Sequence, residues 1–235
     1  SETVELWPDH GTFRAERYTV SVVNVEKIDA YGGGGDDVAM LRDNPDGVDY
    51  AQLRPGSSRL YGDGFDNQVS DFGYVHAYGS DGANDVAQLY DDPYTADTLE
   101  ATPDVTVFYG SGFFNRALNF RYVHGYSTAD SGDVAILRDN PEGKDTFQAW
   151  PDQARLYGSE FYARVKSFAR VRAYATEGNG DLAVLYDNPG NKDTFRATPD
   201  QADLYGDGFS NRASSFDAVQ AYATAGDRDV ALLHG

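Results

Sequence analysis

The chain has 235 residues, and 38 acidic side chains against 19 Lys and Arg leave a formal net charge of −19 and a pI near 4.3. That balance argues against nucleic acid and anionic membrane surfaces as partners. No apolar run is long enough for membrane insertion, and with no cysteine there is no disulfide framework.

Residues 1–36 contain the stretch "VELWPDHGTFRAERYTVSVVNVEKIDAYGGGG" and are expected to be a shortened N-terminal capping unit. The opening "SETVELWPDHG" has no signal-peptide character, so a segment of a larger multidomain chain is expected. From Asp37 onward a repeat takes over. The motif D-(V/L)-A-x-L starts at Asp37, Asp85, Asp133, Asp181 and Asp229, always 48 residues on. Full copies therefore span 37–84, 85–132, 133–180 and 181–228, with 229–235 the start of a further unit. The whole is read as a single repeat domain.

Within each copy the pattern has period two. Ala39 and Leu41 recur in every copy while the residue between them varies, so Ala and Leu are expected to point inward. Val75, Val123, Val171 and Val219, each with a small residue two places on, give a second inward pair. Asp43-x-Pro45 and its copies read as turns, with Pro fixing φ and the Asp side chain bonding the backbone. No segment shows helical periodicity. Each copy holds two related halves, a short one and a longer one carrying a "GDGFSNR" excursion. The predicted fold is an all-β, right-handed parallel β-helix with two rungs per 48-residue repeat; a five-bladed β-propeller is the alternative.

Two tyrosine columns follow the repeat: Tyr78, Tyr126, Tyr174 and Tyr222, and Tyr61, Tyr109, Tyr157 and Tyr205. The first shares its parity with His76, His124 and Arg172, which places all of them on the solvent side. Vertical stacking at two rungs per copy would repeat a ring every ~10 Å, close to the length of a disaccharide in an extended glycan. Flat aromatic faces with neighbouring polar groups suit sugar rings. The alternative is that these tyrosines cap the edge of the core.

Asp43, Asp91, Asp139 and Asp187 each precede a second aspartate by six residues, at Asp49, Asp97, Asp145 and Asp193. Stacked acidic turns could supply the six to eight oxygens that Ca²⁺ takes. The plainer reading is that Asp simply forms the turns. The third copy departs most from its neighbours. Trp150 stands where they have Thr102 and Thr198, Glu160 replaces Gly112 and Gly208, and Arg155, Arg164, Lys166, Arg170 and Arg172 gather nearby. Such a patch could neutralise a uronate carboxylate in a polysaccharide lyase, although no unique carboxylate pair or metal triad accompanies it.

The pattern "DxAxLYDxPGxxDTFxAxPxxAxLYGxGFxNxAxxFDxVxAYA", carried by 181–223 and its copies, resembles the tandem repeats of large secreted or surface proteins of environmental bacteria, planctomycete-type in particular. The resemblance covers about 37–235. It implies an extracellular or cell-surface parent and, by association, polysaccharide use, and it transfers no activity residue by residue. The expected function is a non-catalytic carbohydrate-binding module for a cellulose-like or other plant or algal glycan. The alternatives are a Ca²⁺-stabilised structural or adhesin segment and, further off, the lyase.

Overall fold

The structure is a computed structural model describing the chain except residues 81–83, 129–131, 177 and 226–227. Among the described residues there are 25 strands of four to six residues and no helix. No helix is therefore long and apolar enough to cross a membrane. The chain is an all-β solenoid, as expected, consistent with a right-handed β-helix. Side chains alternate across each strand as a half-buried sheet requires. Ala39 and Leu41, Ala87 and Leu89, Ala135 and Leu137, and Ala183 and Leu185 are all fully buried. So are the Val75–Ala77 and Val171–Ala173 pairs, whereas the strand Ala218–Tyr222 is exposed along its length, Val219 included.

The first copy shows how 48 residues fold. Strand Val38–Arg42 runs in one sheet. Tyr50–Arg54, Ser57–Gly62 and Phe65–Ser70 then form an antiparallel meander in the other. Tyr74–Tyr78 returns to pair in parallel with Val38–Arg42, Val38 facing Tyr74. One turn is thus 36 residues, longer than a half-repeat and shorter than a whole one. The second copy, whose first strand is Val86–Tyr90, consequently begins in the opposite sheet, parallel to Tyr50–Arg54. Each copy makes three passes, one sheet, then the meander in the other, then the first sheet again, and this odd number makes successive copies begin in alternate sheets. Parallel pairing within a copy and sheets shared between copies are what distinguish this fold from a propeller, whose blades are separate sheets.

Two compact units are present, residues 1–92 with 104–124 and residues 93–103 with 125–235. In the first, one sheet carries Thr3–Leu6, Val38–Arg42, Tyr74–Tyr78 and Phe113–Leu118 in parallel succession, with meander strands at both ends. Its other sheet runs from Val86–Tyr90 through the meander to Lys27–Tyr31. In the second unit, Thr98–Ala101, Val134–Arg138, Arg170–Tyr174 and Phe209–Ser214 succeed one another in parallel. The facing sheet there holds the meander Thr146–Ala149, Gln153–Tyr157 and Tyr162–Lys166, followed by Leu182–Tyr186 and Ala218–Tyr222.

The "GF" turn of each meander depends on a left-handed glycine: Gly64, Gly112 and Gly208 have φ of 81°, 83° and 77°. Glu160 replaces that glycine in the third copy, where the flanking strands shorten from six residues to five. A second left-handed position precedes each of Phe72, Phe120, Phe168 and Phe216, all four buried. Here Asp71, Asn119, Ser167 and Ser215 have φ between 59° and 65°.

Candidate functional site

A 36-residue turn brings into register the residue that follows the last inward side chain of each strand. The result is a set of stacked flat groups. Arg42 lies between Trp7 and Tyr78, its guanidinium carbon 5.7 and 4.5 Å from the two ring centroids. Arg54 sits 3.6 Å from Tyr90, and Arg138 sits 5.1 Å from Tyr174. In the second unit Trp150, Tyr186 and Tyr222 stack in succession, with centroids 4.8 and 5.4 Å apart and planes 4° and 15° from parallel. Cation–π and stacking contacts of this kind are favourable, and they occupy ring faces.

The tyrosine columns therefore do not form the expected ruler. Tyr174 and Tyr222, consecutive in the first column, lie in opposite sheets of the second unit, and so do Tyr157 and Tyr205 of the second column. Tyr61 and Tyr109 are split in the same way in the first unit. The cause is the alternation of copies between sheets. Individual tyrosines find local partners instead. Tyr61 stacks on Tyr50 at 5.5 Å, Tyr109 on Phe114 at 6.2 Å, and Tyr157 tilts against Tyr162 at 6.2 Å. The hydroxyls of Tyr78 and Tyr126 accept hydrogen bonds from Arg116 and Arg164 at 3.4 and 3.1 Å.

His76 and His124 are half-buried on their strands. Burial first and the Arg116 charge second push the pKa of His76 down to about 4, so the imidazole is neutral at pH 7. Arg172 pairs across the sheet with Arg212.

The acidic residues assemble more tightly than their six-residue spacing implied. Asp43, Asp49 and Asp85 bring one carboxylate oxygen each within 4.8 Å of the others, as do Asp139, Asp145 and Asp181, and Asp187, Asp193 and Asp229. The third member is the aspartate that opens the D-(V/L)-A-x-L motif one turn later. Asp85 Oδ1 accepts the backbone N–H of Asp49 at 2.8 Å; Asp181 does so for Asp145 and Asp229 for Asp193. Within each cluster the middle aspartate also caps its own turn, Asp49 Oδ2 accepting from Asn44 N–H and Asp145 Oδ2 from Asn140 N–H, both at 2.6 Å. Glycine makes room for this: a Cβ on Gly62, Gly158 or Gly206 would collide with the Oδ1 of Asp49, Asp145 or Asp193. Asp91 and Asp97 are buried too, but they belong to none of the three clusters.

Burial, with neighbouring carboxylates adding to it, pushes the pKa of Asp43, Asp49 and Asp145 up to about 6, and raises that of Asp181. Asp49 Oδ1 and Asp181 Oδ2, both on fully buried residues, have no hydrogen-bond partner. Two oxygens bound to one ion at about 2.4 Å lie no more than about 4.8 Å apart, so these clusters could hold a metal ion. Spacing could have revealed Asp85 and Asp181, since Asp49 to Asp85 and Asp145 to Asp181 are the same 36-residue step.

The cationic patch of the third copy divides. Arg155 and Arg164 face each other across antiparallel strands, while Arg170 and Arg172 lie in the other sheet of the unit. Two hollows adjoin Trp150. One, of about 280 Å³, is lined by Trp150, Gln153, Ala154, Arg155, Tyr162 and Arg164. The other, of about 490 Å³, includes Trp150, Tyr186 and Tyr222 together with Asp187, Asn188 and Thr224. No protein-family model, curated protein or solved structure matches the chain.

Proposed function

We propose that the chain is a non-catalytic, repeat-built module that binds carbohydrate, in a secreted or surface protein of several domains. The observation that carries this reading is the pair of hollows sharing Trp150, where stacked aromatic rings border amide, hydroxyl and charged groups. That mixture is the usual lining of a sugar site: apolar ring surface for C–H groups and a few polar side chains for hydroxyls. It moves the site from two long columns to one locus, the place where the repeat is broken. The surrounding solenoid is scaffold. Trp150→Thr, which restores the residue of the second and fourth copies, is expected to abolish retardation by soluble β-glucans in affinity electrophoresis and binding to insoluble cellulose. Wild-type binding by that variant, or no binding of the parent to any neutral or acidic glycan, rejects the reading.

The carboxylate clusters support a second, compatible role. We read their cation as Ca²⁺, because all the donors are hard oxygens and the aspartates join successive turns. An ion there would clip one turn to the next and stiffen the module as an adhesin or spacer. A melting temperature that rises with Ca²⁺ and falls with chelator supports this, and an unchanged one excludes it.

A further inference from the structure

The Arg155–Arg164 pair occupies a position that recurs in every copy, and the copies fill it differently. In the fourth, Asp203 faces Arg212 and the two bond at 2.6 Å. In the first, Arg59 faces Gln68 and takes Asp66 as its partner through two hydrogen bonds of 2.6 and 2.9 Å. In the second, Val107 faces Arg116, a single charge. At this meander position the third copy alone sets two arginines directly opposite one another. Like charges so placed repel.

Neither arginine is neutralised by the protein. Arg155 donates from Nε and Nη2 to the neutral Gln148 Oε1, at 2.8 and 2.5 Å. Arg164 donates from Nη2 to Tyr126 Oη, and its Nε is buried without an acceptor. Among the described residues neither forms an ion pair, in a chain whose net charge is −19. Both line the 280 Å³ hollow, and among the described residues no acid lines it. Its size is at the lower edge of small-molecule sites, enough for one sugar residue with its charged group.

We propose that this hollow binds the oxyanion of an acidic polysaccharide, a uronate carboxylate or a sulfate ester. The ligand oxygen serves Arg164 as the acceptor that Asp203 Oδ1 is for Arg212 Nε in the fourth copy. Guanidinium forks match the paired oxygens of carboxylates and tetrahedral oxyanions, and the anion offsets the repulsion between the arginines. Trp150 bounds the rim, with Tyr186 stacked on it at 4.8 Å and the Arg155 guanidinium carbon 5.4 Å from its ring centroid, so a sugar in the hollow meets the indole edge. The proposal rests on the carbohydrate reading for its glycan, but its anion site stands separately.

Affinity electrophoresis in polygalacturonate, in dextran sulfate and in a neutral β-glucan, at low ionic strength, tests it. The acidic background makes non-specific attraction to polyanions unfavourable, so retardation reports the site. Wild type is expected to be retarded by at least one polyanion, with carboxylate and sulfate arms identifying the group. Arg155→Gln, Arg164→Gln and their combination should weaken binding at least tenfold, while Arg116→Gln should not. Arg155→Asp recreates the Asp203–Arg212 pair, so it should fold at least as stably as wild type and lose the anion. Equal retardation of wild type and Arg155→Asp, or no polyanion binding at all, overturns the proposal. If β-glucan binding survives that outcome, the carbohydrate reading stands alone. If inorganic sulfate or acetate binds at the arginines by calorimetry while no glycan does, the hollow is a site for small anions only, and both the proposal and the carbohydrate reading fall.

Discussion

The carboxylate of Asp181 accepts the backbone N–H of Asp145 at 2.7 Å, across 36 residues of chain and one turn of the solenoid. Both residues are buried, so water cannot replace the bond. Asp181→Ala leaves a buried donor unsatisfied and is expected to cost about 1–3 kcal/mol. In a chain of this length that lowers the melting temperature by several degrees. Asp181→Asn keeps an oxygen at the same place and removes one of three crowded charges, so it should be far milder. Thermal denaturation in chelator compares the two. Equal losses would mean that the charge, rather than the acceptor, is what the fold uses.

Gly158 gives the same corner its space. A Cβ there would meet Asp145 Oδ1 and approach the Phe161 ring. Gly158→Ala must therefore displace a carboxylate that also caps the Asn140 turn. The expected cost is about 1–3 kcal/mol, typical of overpacking. Because Asp145 is one of three cluster ligands, the same variant should also shrink any Ca²⁺-dependent rise in melting temperature. Gly143→Ala is the comparison, since its added carbon meets nothing closer than 3.6 Å. Equal behaviour of the two variants would remove the steric argument.

Much of this architecture was legible in the sequence. Ala39, Leu41 and their copies announced strand, inward face and repeat at once, because burial repeats whatever fills one rung. The length of a turn was not legible. It follows from pairing Val38 with Tyr74, a hydrogen-bonding register that side-chain pattern alone leaves open. With two rungs per 48-residue copy Tyr174 lies in line with Tyr222; with 36-residue turns Tyr186 does, and the column of like residues becomes a stack of unlike ones. The same error hid Asp85, Asp181 and Asp229 from the acidic clusters, although the motif they open was the clearest in the chain. Trp150 and Arg155 were visible as departures from the repeat. Their meaning came from seeing Asp203 and Arg212 in the equivalent place.

Ser167 has φ of 65°, in the left-handed region, and its N–H donates to Asp152 O at 2.7 Å. Asp71 and Asn119 hold the equivalent position in earlier copies, and those residue types tolerate it better. Ser167→Gly is expected to leave stability unchanged or raise it by about 0.5–1 kcal/mol, because relief of strain competes with a freer unfolded chain. Ser167→Val, with its branched Cβ, should cost about 1–2 kcal/mol. Urea denaturation ranks the three. Valine equal to glycine would show that the backbone relaxes elsewhere.

The buried aspartates make stability depend on pH in an unusual direction. Asp49 and Asp145 have pKa values pushed up to about 6 by burial and by their carboxylate neighbours, against 3.8 in the unfolded chain. An acid with a raised native pKa binds its proton more tightly when folded. Its contribution is therefore greatest below the unfolded value and declines as pH rises from about 4 to about 6. Asp66 works the other way: its bond from Arg59 lowers its pKa, and its contribution is lost only as pH falls through that lowered value. The two windows are separate. In chelator, wild type should lose stability between about pH 4 and pH 7 relative to the Asp49→Asn, Asp145→Asn double variant. Millimolar Ca²⁺ should narrow that gap at pH 7 by balancing the ionised clusters, and should move the double variant less, through its remaining Asp187, Asp193 and Asp229 cluster alone. Parallel pH profiles for the two proteins would show that these carboxylates shed their protons without cost to the fold, and the case for a cation between them would lose its electrostatic basis.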